Sequence, residues 1–318
     1  MTAGRREDGP LLTGRATFVP DVELPGLLEV AFVRSPVAHA RLAAVDTTAA
    51  RTAPGVRFVA VAASLAGAGL FPDLVARARP VREPALCDQR VRYVGAPIAA
   101  IVADDRYLAE DAAELVVVEY EELTAVATID DALRPDAPRL YEDWPDNRLL
   151  VSTPVALAVD EAFSNVRVIS GTYQMQRQAP QPMETRGVVA DYRAGRLTVW
   201  TSTQVPHVER TVLARTLGMS ESDIRVIAPA VGGGFGGKLH VYREDVVVAW
   251  LACHLGRPVR WIEDRREHFL ASSHARDQRM EMAAALDEDG GIAALRCQIT
   301  CDVGSGEIMP PGLGPPMV

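Results

Sequence analysis

Cysteine is scarce in this chain, with four in 318 residues. Cys87, Cys253, Cys297 and Cys301 include no C-x-x-C pair, which argues against a zinc site or an iron–sulfur cluster held by this chain. Cys297 and Cys301 share one face of an expected strand and read as buried free thiols. Long apolar runs are also missing, so no segment reads as a membrane span. The start of the chain, with Arg5, Arg6, Glu7 and Asp8, leads into no signal-peptide core, and a cytoplasmic location is expected. Positive charge is not in excess: 33 Lys and Arg stand against 42 Asp and Glu, a net charge of -9. That balance argues against nucleic acid or an anionic membrane as main partner. The six histidines form neither H-E-x-x-H nor a close pair, so no protein-ligated metal is expected. His39 and His207 read as loop or supporting residues.

Glycine, by contrast, is concentrated. Gly232-Gly233-Gly234-Phe235-Gly236-Gly237-Lys238 holds five glycines in seven residues, just after the apolar stretch 224–228. Such a backbone takes positive φ readily and approaches a ligand without a Cβ in the way. The amides near Lys238 are expected to open a helix and to favour anions or oxo groups. Two familiar patterns fit, and both fail on context. G-x-G-x-x-G needs an acidic residue roughly 20 positions on, at the end of a second strand. Here residues 246–251 read as buried helix, and Glu263 follows only after them. G-x-x-x-x-G-K needs Ser or Thr next to hold magnesium, and this chain has Leu239. A turn that only packs strand against helix is the plain alternative.

The surroundings sharpen this. Residues 197–203 alternate as a strand closed by 204–207, and a helix over 208–217 stops at Gly218. The next strand feeds the glycine loop. Gln204 and Gly232 therefore mark two strand ends opening onto one cleft, although Gln204 alone reads better as a loop-capping amide. Upstream, residues 28–33, 56–61 and 98–103 read as strands. A helix over 105–114, capped by Asp104 or Asp105, and a strand over 116–120 follow, and this β-α-β order suggests an α/β layer. Glu119, Glu121 and Glu122 read as a solvated edge. Pro135, Pro138 and Pro145 mark a linker over 134–147. Beyond the glycine loop come a helix ending near His254, a Gly256 stop, a strand over 259–262, and a hairpin joining 279–283 to 292–296.

At these residues the chain resembles the molybdenum hydroxylases, in their molybdopterin-binding large subunit. These are the xanthine dehydrogenase, aldehyde oxidase and carbon monoxide dehydrogenase enzymes. The resemblance is carried by Thr201-Ser202-Thr203-Gln204-Val205-Pro206-His207, the glycine loop, Trp261-Ile262-Glu263-Asp264-Arg265 and Gln181-Pro182-Met183-Glu184-Thr185-Arg186-Gly187. Ser35-Pro36-Val37-Ala38-His39-Ala40 and Val94-Gly95-Ala96-Pro97-Ile98-Ala99 extend it upstream. It implies an α+β chain: an N-terminal α/β hammerhead domain over 14–133, the linker, and the first, incomplete part of a mixed α/β molybdopterin-binding domain over 148–318. It further implies hydroxylation of an aldehyde, heteroaromatic or similar small substrate with oxygen from water. Electrons would pass to a [2Fe-2S] small subunit and an FAD medium subunit. The cofactor would be molybdenum-molybdopterin, in the cytosine dinucleotide form. Gln204, Gly233, Gly234, Phe235, Gly236 and Gly237 would bind it, with Gln204 and the backbone N–H groups of Phe235 and Gly236 facing the molybdenum ligands. Leu239 would line the substrate pocket, where purine-oxidising members carry a glutamate. The family's catalytic glutamate would lie beyond Val318, so no catalytic residue is expected in this chain. Glu184 reads as structural. The chain is either truncated or completed by a C-terminal half on another polypeptide, and an exposed apolar surface is expected where that half would pack, beside an unfinished apolar end over 309–318. A non-catalytic scaffold of the same fold and an unrelated nucleotide-binding enzyme are the alternatives.

Overall fold

The computed structural model describes residues 4–66, 68, 79, 81, 83–151, 159–275 and 277–305. The chain end over 309–318 lies outside these. Strands from both sides of residues 134–147 meet in one sheet. From upstream come β1 (Leu28–Arg34), β3 (Val56–Val61) and β5 (Pro97–Ala103); from downstream come β8 (Gly187–Arg193), β9 (Arg196–Thr201), β10 (Ile224–Ile227) and β11 (Val259–Ile262). Their order is β10-β9-β8-β11-β1-β5-β3. The β1–β11 and β9–β10 pairs are parallel and the other four antiparallel. Every residue of β5 is buried, as its unbroken apolar run requires of a strand covered on both faces.

Seven helices are described: α1 (Asp8–Leu12), α2 (Thr48–Thr52), α3 (Arg106–Glu114), α4 (Ile129–Leu133), α5 (Pro206–Leu217), α6 (Arg243–Leu255) and α7 (Arg265–Ala271). Helix α6 lies on β8 and β11, α3 on β1 and β5, and α5 on β10. Val246, Val247, Val248 and Leu251 of α6 share a core with Leu28, Phe32, Val188, Val199 and Trp261. Phe32 meets Trp261 edge-on at 5.5 Å. Gly218 and Gly256 end α5 and α6 in the left-handed conformation, at φ 65° and 60°, as their positions suggest. Asp105 caps α3 by accepting from the Leu108 N–H, while Asp104 pairs with Arg57.

Two three-stranded sheets complete the fold. One contains β2 (Ala40–Asp46), β4 (Arg90–Val91) and β6 (Val117–Glu122) in the order β4-β2-β6. Its membership corrects the β-α-β expectation, because β5 and β6 lie in different sheets. The alternation in β6 explains this: Val118 and Tyr120 face inward while Glu119, Glu121 and Glu122 are exposed, a pattern for a strand with one wet face. The other sheet contains β7 (Arg167–Met175), β12 (Gln278–Leu286) and β13 (Ile292–Cys301) in the order β13-β12-β7. Ile169, Tyr173, Met282 and Leu295 lie on one of its faces by register and all are exposed. Cys297 is on that face and exposed, and Cys301 is half-buried. The expectation of buried thiols fails there because nothing among the described residues covers the face.

Residues 134–147 carry no helix or strand but are anchored. Tyr141 and Trp144 stack at 4.4 Å, and the Arg92 guanidinium sits 4.5 Å from the Tyr141 ring centre.

Candidate functional site

The glycine run is an irregular loop between β10 and α6, drawn tight by two turns. Gly237 N–H donates to Gly234 O (2.8 Å) and Leu239 N–H to Gly236 O (3.2 Å). The helix expected near Lys238 begins only at Arg243, where Asp245 accepts from the Tyr242 N–H. No helix end therefore supplies the loop's donors, and the loop presents its own. Gly233, Phe235 and Gly236 have φ of 98°, 50° and 88°. For Phe235 that conformation costs roughly 1–2 kcal/mol, and its side chain is 75% exposed.

Gln204 lies directly on this loop. Its Oε1 accepts from the N–H groups of Gly236 (3.2 Å) and Lys238 (3.3 Å), and its backbone N–H donates to Lys238 O (2.8 Å). Two donors facing one side-chain atom identify that atom as oxygen. The side-chain NH2 then has no partner among the described residues. A Cβ on Gly234 would stand 2.4 Å from Gln204 Oε1 and 2.6 Å from its Cδ, so the glutamine fits because that position is glycine. The backbone N–H groups of Gly233, Gly234 and Phe235 also lack partners among the described residues. Successive free N–H groups in turn conformations make concavities for anionic or oxo atoms.

One carboxylate holds both ends of the loop. Glu184 Oε2 accepts from Gly232 N–H (2.8 Å) and Lys238 Nζ (2.9 Å), and Lys238 is almost wholly buried. Burial pulls the Lys238 pKa down against the pull of Glu184. Glu184 is thus a structural acid, as its motif suggests. From below, Tyr242 hydroxyl donates to Gly237 O (2.5 Å) and accepts from Ser273 N–H (3.2 Å). Burial pushes that hydroxyl up to about 12, so it keeps its proton.

Behind Tyr242 lies a buried ion network. The Arg186 guanidinium is 3.8 Å from the Tyr242 ring centre and 5.3 Å from that of Trp261. It pairs with Glu263 (2.5 Å) and Glu244 (3.3 Å), and Glu244 also pairs with Arg34 (2.7 Å). His268 Nδ1 adds a contact to Glu263 at 2.8 Å. Burial disfavours the charge on Glu263, but Arg186 and His268 outweigh it and hold the carboxyl at about 2. Arg186, Glu263 and Tyr242 received no role from sequence. The first two sit in recognised motifs, yet no spacing rule joins positions 77 apart in the chain.

Leu239 is half-buried, its Cδ1 4.0 Å from where a Gly236 Cβ would stand. His207 is exposed in the first turn of α5. His39 is buried well upstream against Thr124 O. Neither histidine hydrogen-bonds to the glycine loop among the described residues.

Comparison with known proteins bears on what such a loop holds. Residues 141–313 match the molybdopterin cofactor-binding domain. Residues 13–124 match the a/b hammerhead domain of aldehyde oxidase and xanthine dehydrogenase. The nicotine 6-hydroxylase large subunit of Paenarthrobacter nicotinovorans is 41% identical over 96% of this chain and 38% of its own length. The carbon monoxide dehydrogenase large chain of Hydrogenophaga pseudoflava is 36% identical over 94% and 39%. Among solved structures, quinoline 2-oxidoreductase from Pseudomonas putida 86 superposes with a TM-score of 0.87 at 40% identity, covering 93% of this chain and 38% of that one. This chain spans about two fifths of the length of these relatives.

Proposed function

This chain belongs to the molybdopterin-binding large subunits of the xanthine dehydrogenase, aldehyde oxidase and carbon monoxide dehydrogenase family, and from that premise we propose that it forms one wall of a molybdenum hydroxylase active site. The observation that carries the proposal is the pairing of Gln204 with the glycine loop. One side-chain NH2 and the N–H groups of Gly233, Gly234 and Phe235 are left without partners among the described residues. This donor set fits a cofactor rich in oxo and phosphate oxygens and offers no direct metal ligand, and no group of metal-binding side chains occurs among the described residues.

When bound, the cofactor supplies the oxidation, in which oxygen from water is added to an electron-poor carbon and two electrons depart. The residues of this chain position and stabilise. Gln204 NH2 and Phe235 N–H would hold the cofactor by donating to its oxygens, as preorganised donors where charge develops. Gly236 N–H is given to Gln204 instead and fixes that side chain. Gly233, Gly234 and Gly237 let the backbone close on the cofactor. Leu239 gives the substrate pocket an apolar wall, which suits a heteroaromatic or aldehyde better than a purine. The proton-abstracting glutamate and the rest of the molybdopterin subunit lie outside this sequence, and the [2Fe-2S] small subunit and the FAD medium subunit are its partners. The cofactor is taken in the cytosine dinucleotide form, and the assembly works in the cytoplasm. Among the described residues no helix is long and apolar enough to cross a membrane.

The test is oxidation of an N-heteroaromatic such as nicotine or quinoline by the protein co-purified with its completing polypeptides, in isotopically labelled water. Label in the hydroxylated product is the expected outcome. Label drawn from dioxygen, or no turnover by a molybdenum-loaded complex, would remove this reading.

A further inference from the structure

The two loops of the site each run into a helix, Gln204 into α5 and the glycine loop into α6, and two carboxyl groups lie in the first turns of these helices. Asp245 of α6 is buried and well supplied. Its Oδ1 accepts from Thr201 Oγ1 (3.0 Å), at the end of β9, and its Oδ2 from Tyr242 N–H (3.1 Å). Glu209 of α5 has no exposed surface, and neither carboxyl oxygen has a hydrogen-bond partner among the described residues. Val212 and Leu213, the next turn of the same helix, are fully buried with it. Helices α5 and α6 pack against each other, and the charged group that bears on Glu209 is Asp245, while Glu209, Glu244 and Arg186 bear on Asp245. An ionised carboxylate without donors is very costly in such a place, while a protonated one is tolerated.

We propose that Glu209 and Asp245 form a buried acid pair that carries at most one negative charge, and that this state positions Gln204 and the glycine loop. Asp245 takes the charge because it has two donors, and Glu209 keeps its proton. Two contacts pass the pair's geometry to the site. Thr201 ends the strand that leads to Gln204. Tyr242 gives its N–H to Asp245 and its hydroxyl to Gly237 O. A second ionisation would set two like charges across the packed first turns and part them. Glu209 is a positioning residue in this scheme and touches no reacting atom.

Burial, then the neighbouring Asp245, pushes the Glu209 carboxyl well above the ordinary range, and burial pushes Asp245 up to about 7. Raised carboxyl pKa values have a defined sign: the pair's contribution to stability is full below the ordinary carboxylate range and is lost as pH rises through the raised values. Alkaline solution should therefore loosen the loops.

The inference concerns the loops themselves, so its test needs no bound cofactor and fails separately from the proposed activity. Infrared difference spectra of the full chain are compared with those of Glu209→Gln, and hydrogen exchange of the amides over 232–238 is followed from pH 6 to 9 and corrected for intrinsic rates. A carboxylic-acid C=O band is expected in the wild-type protein at pH 8 and absent in Glu209→Gln. Loop protection should fall about tenfold toward the alkaline end in wild type and stay level in the variant. If Glu209→Gln does not fold, the wild-type band alone decides. No protonated-carboxyl band at pH 8, or an alkaline loss of protection unchanged in Glu209→Gln, overturns the proposal.

Discussion

Gly234→Ala is expected to keep the fold and to lose the site. The added Cβ would stand 2.4 Å from Gln204 Oε1 and 3.0 Å from its Cγ, and Gln204 is exposed enough to swing away. The cost to stability is that of an off-rotamer side chain, about 1 kcal/mol. The cost to function is larger, because Gln204 leaves the N–H groups of Gly236 and Lys238 and its NH2 no longer points with the loop donors. Loss of one preorganised donor costs on the order of 10²-fold in turnover, and looser loop amides add to this. The check is turnover of the assembled enzyme beside its thermal midpoint. A midpoint within a few degrees of wild type with turnover down about a hundredfold is predicted. Undiminished turnover would show that Gln204 does not act from where it lies.

Arg186→Leu is expected to have the largest effect on stability. It removes the cation between Glu263 and Glu244 and the group packed on Tyr242 and Trp261. Glu263 keeps His268 and a backbone N–H, and Glu244 keeps Arg34, but both carboxylates lose their principal partner while buried. Breaking a buried pair from one side costs roughly 3–5 kcal/mol, a large part of a typical domain's stability. The denaturant midpoint should fall accordingly, and Glu263→Leu added to Arg186→Leu should recover part of the loss. Acid titration reads the same network. Because Arg186 helps hold Glu263 at about 2, its contribution is present above the ordinary carboxylate range and lost as pH falls toward about 2. In Arg186→Leu that acid limb should shrink and end at higher pH. A midpoint unchanged from wild type would mean that Arg186 is not structurally important.

Much of the local structure was legible because its signals are local. The apolar run at 98–103, the alternation at 197–203, Gly218 and Gly256 as stops, and the 279–296 hairpin each announce an element within a few residues. The approach of Gln204 to the glycine loop was legible too, as two strand ends close in sequence, and β9 and β10 are indeed neighbours. What could not be read was long-range. That β1 pairs with β11 across more than two hundred residues leaves no periodicity, so a chain that reads as two successive modules gives no sign of a shared sheet. The helix expected at Lys238 was displaced because Glu184 and Gln204 bind the loop's amides and hold it irregular until Tyr242. The exposed Cys297 followed from a face with no cover among the described residues. Glu209 was invisible for a related reason: an isolated acid in a helix ordinarily marks a solvated face, and its burial follows from tertiary packing of α5, which lies on β10 and against α6.

The measurement that bears most directly on the central claim is the molybdenum and pterin content of this chain purified with the polypeptides that complete it. About one molybdenum and one pterin per chain are predicted for the wild-type protein, with content sharply reduced in Gly234→Ala at an unchanged fold. A correctly folded, fully assembled complex without molybdenum or pterin would contradict the account.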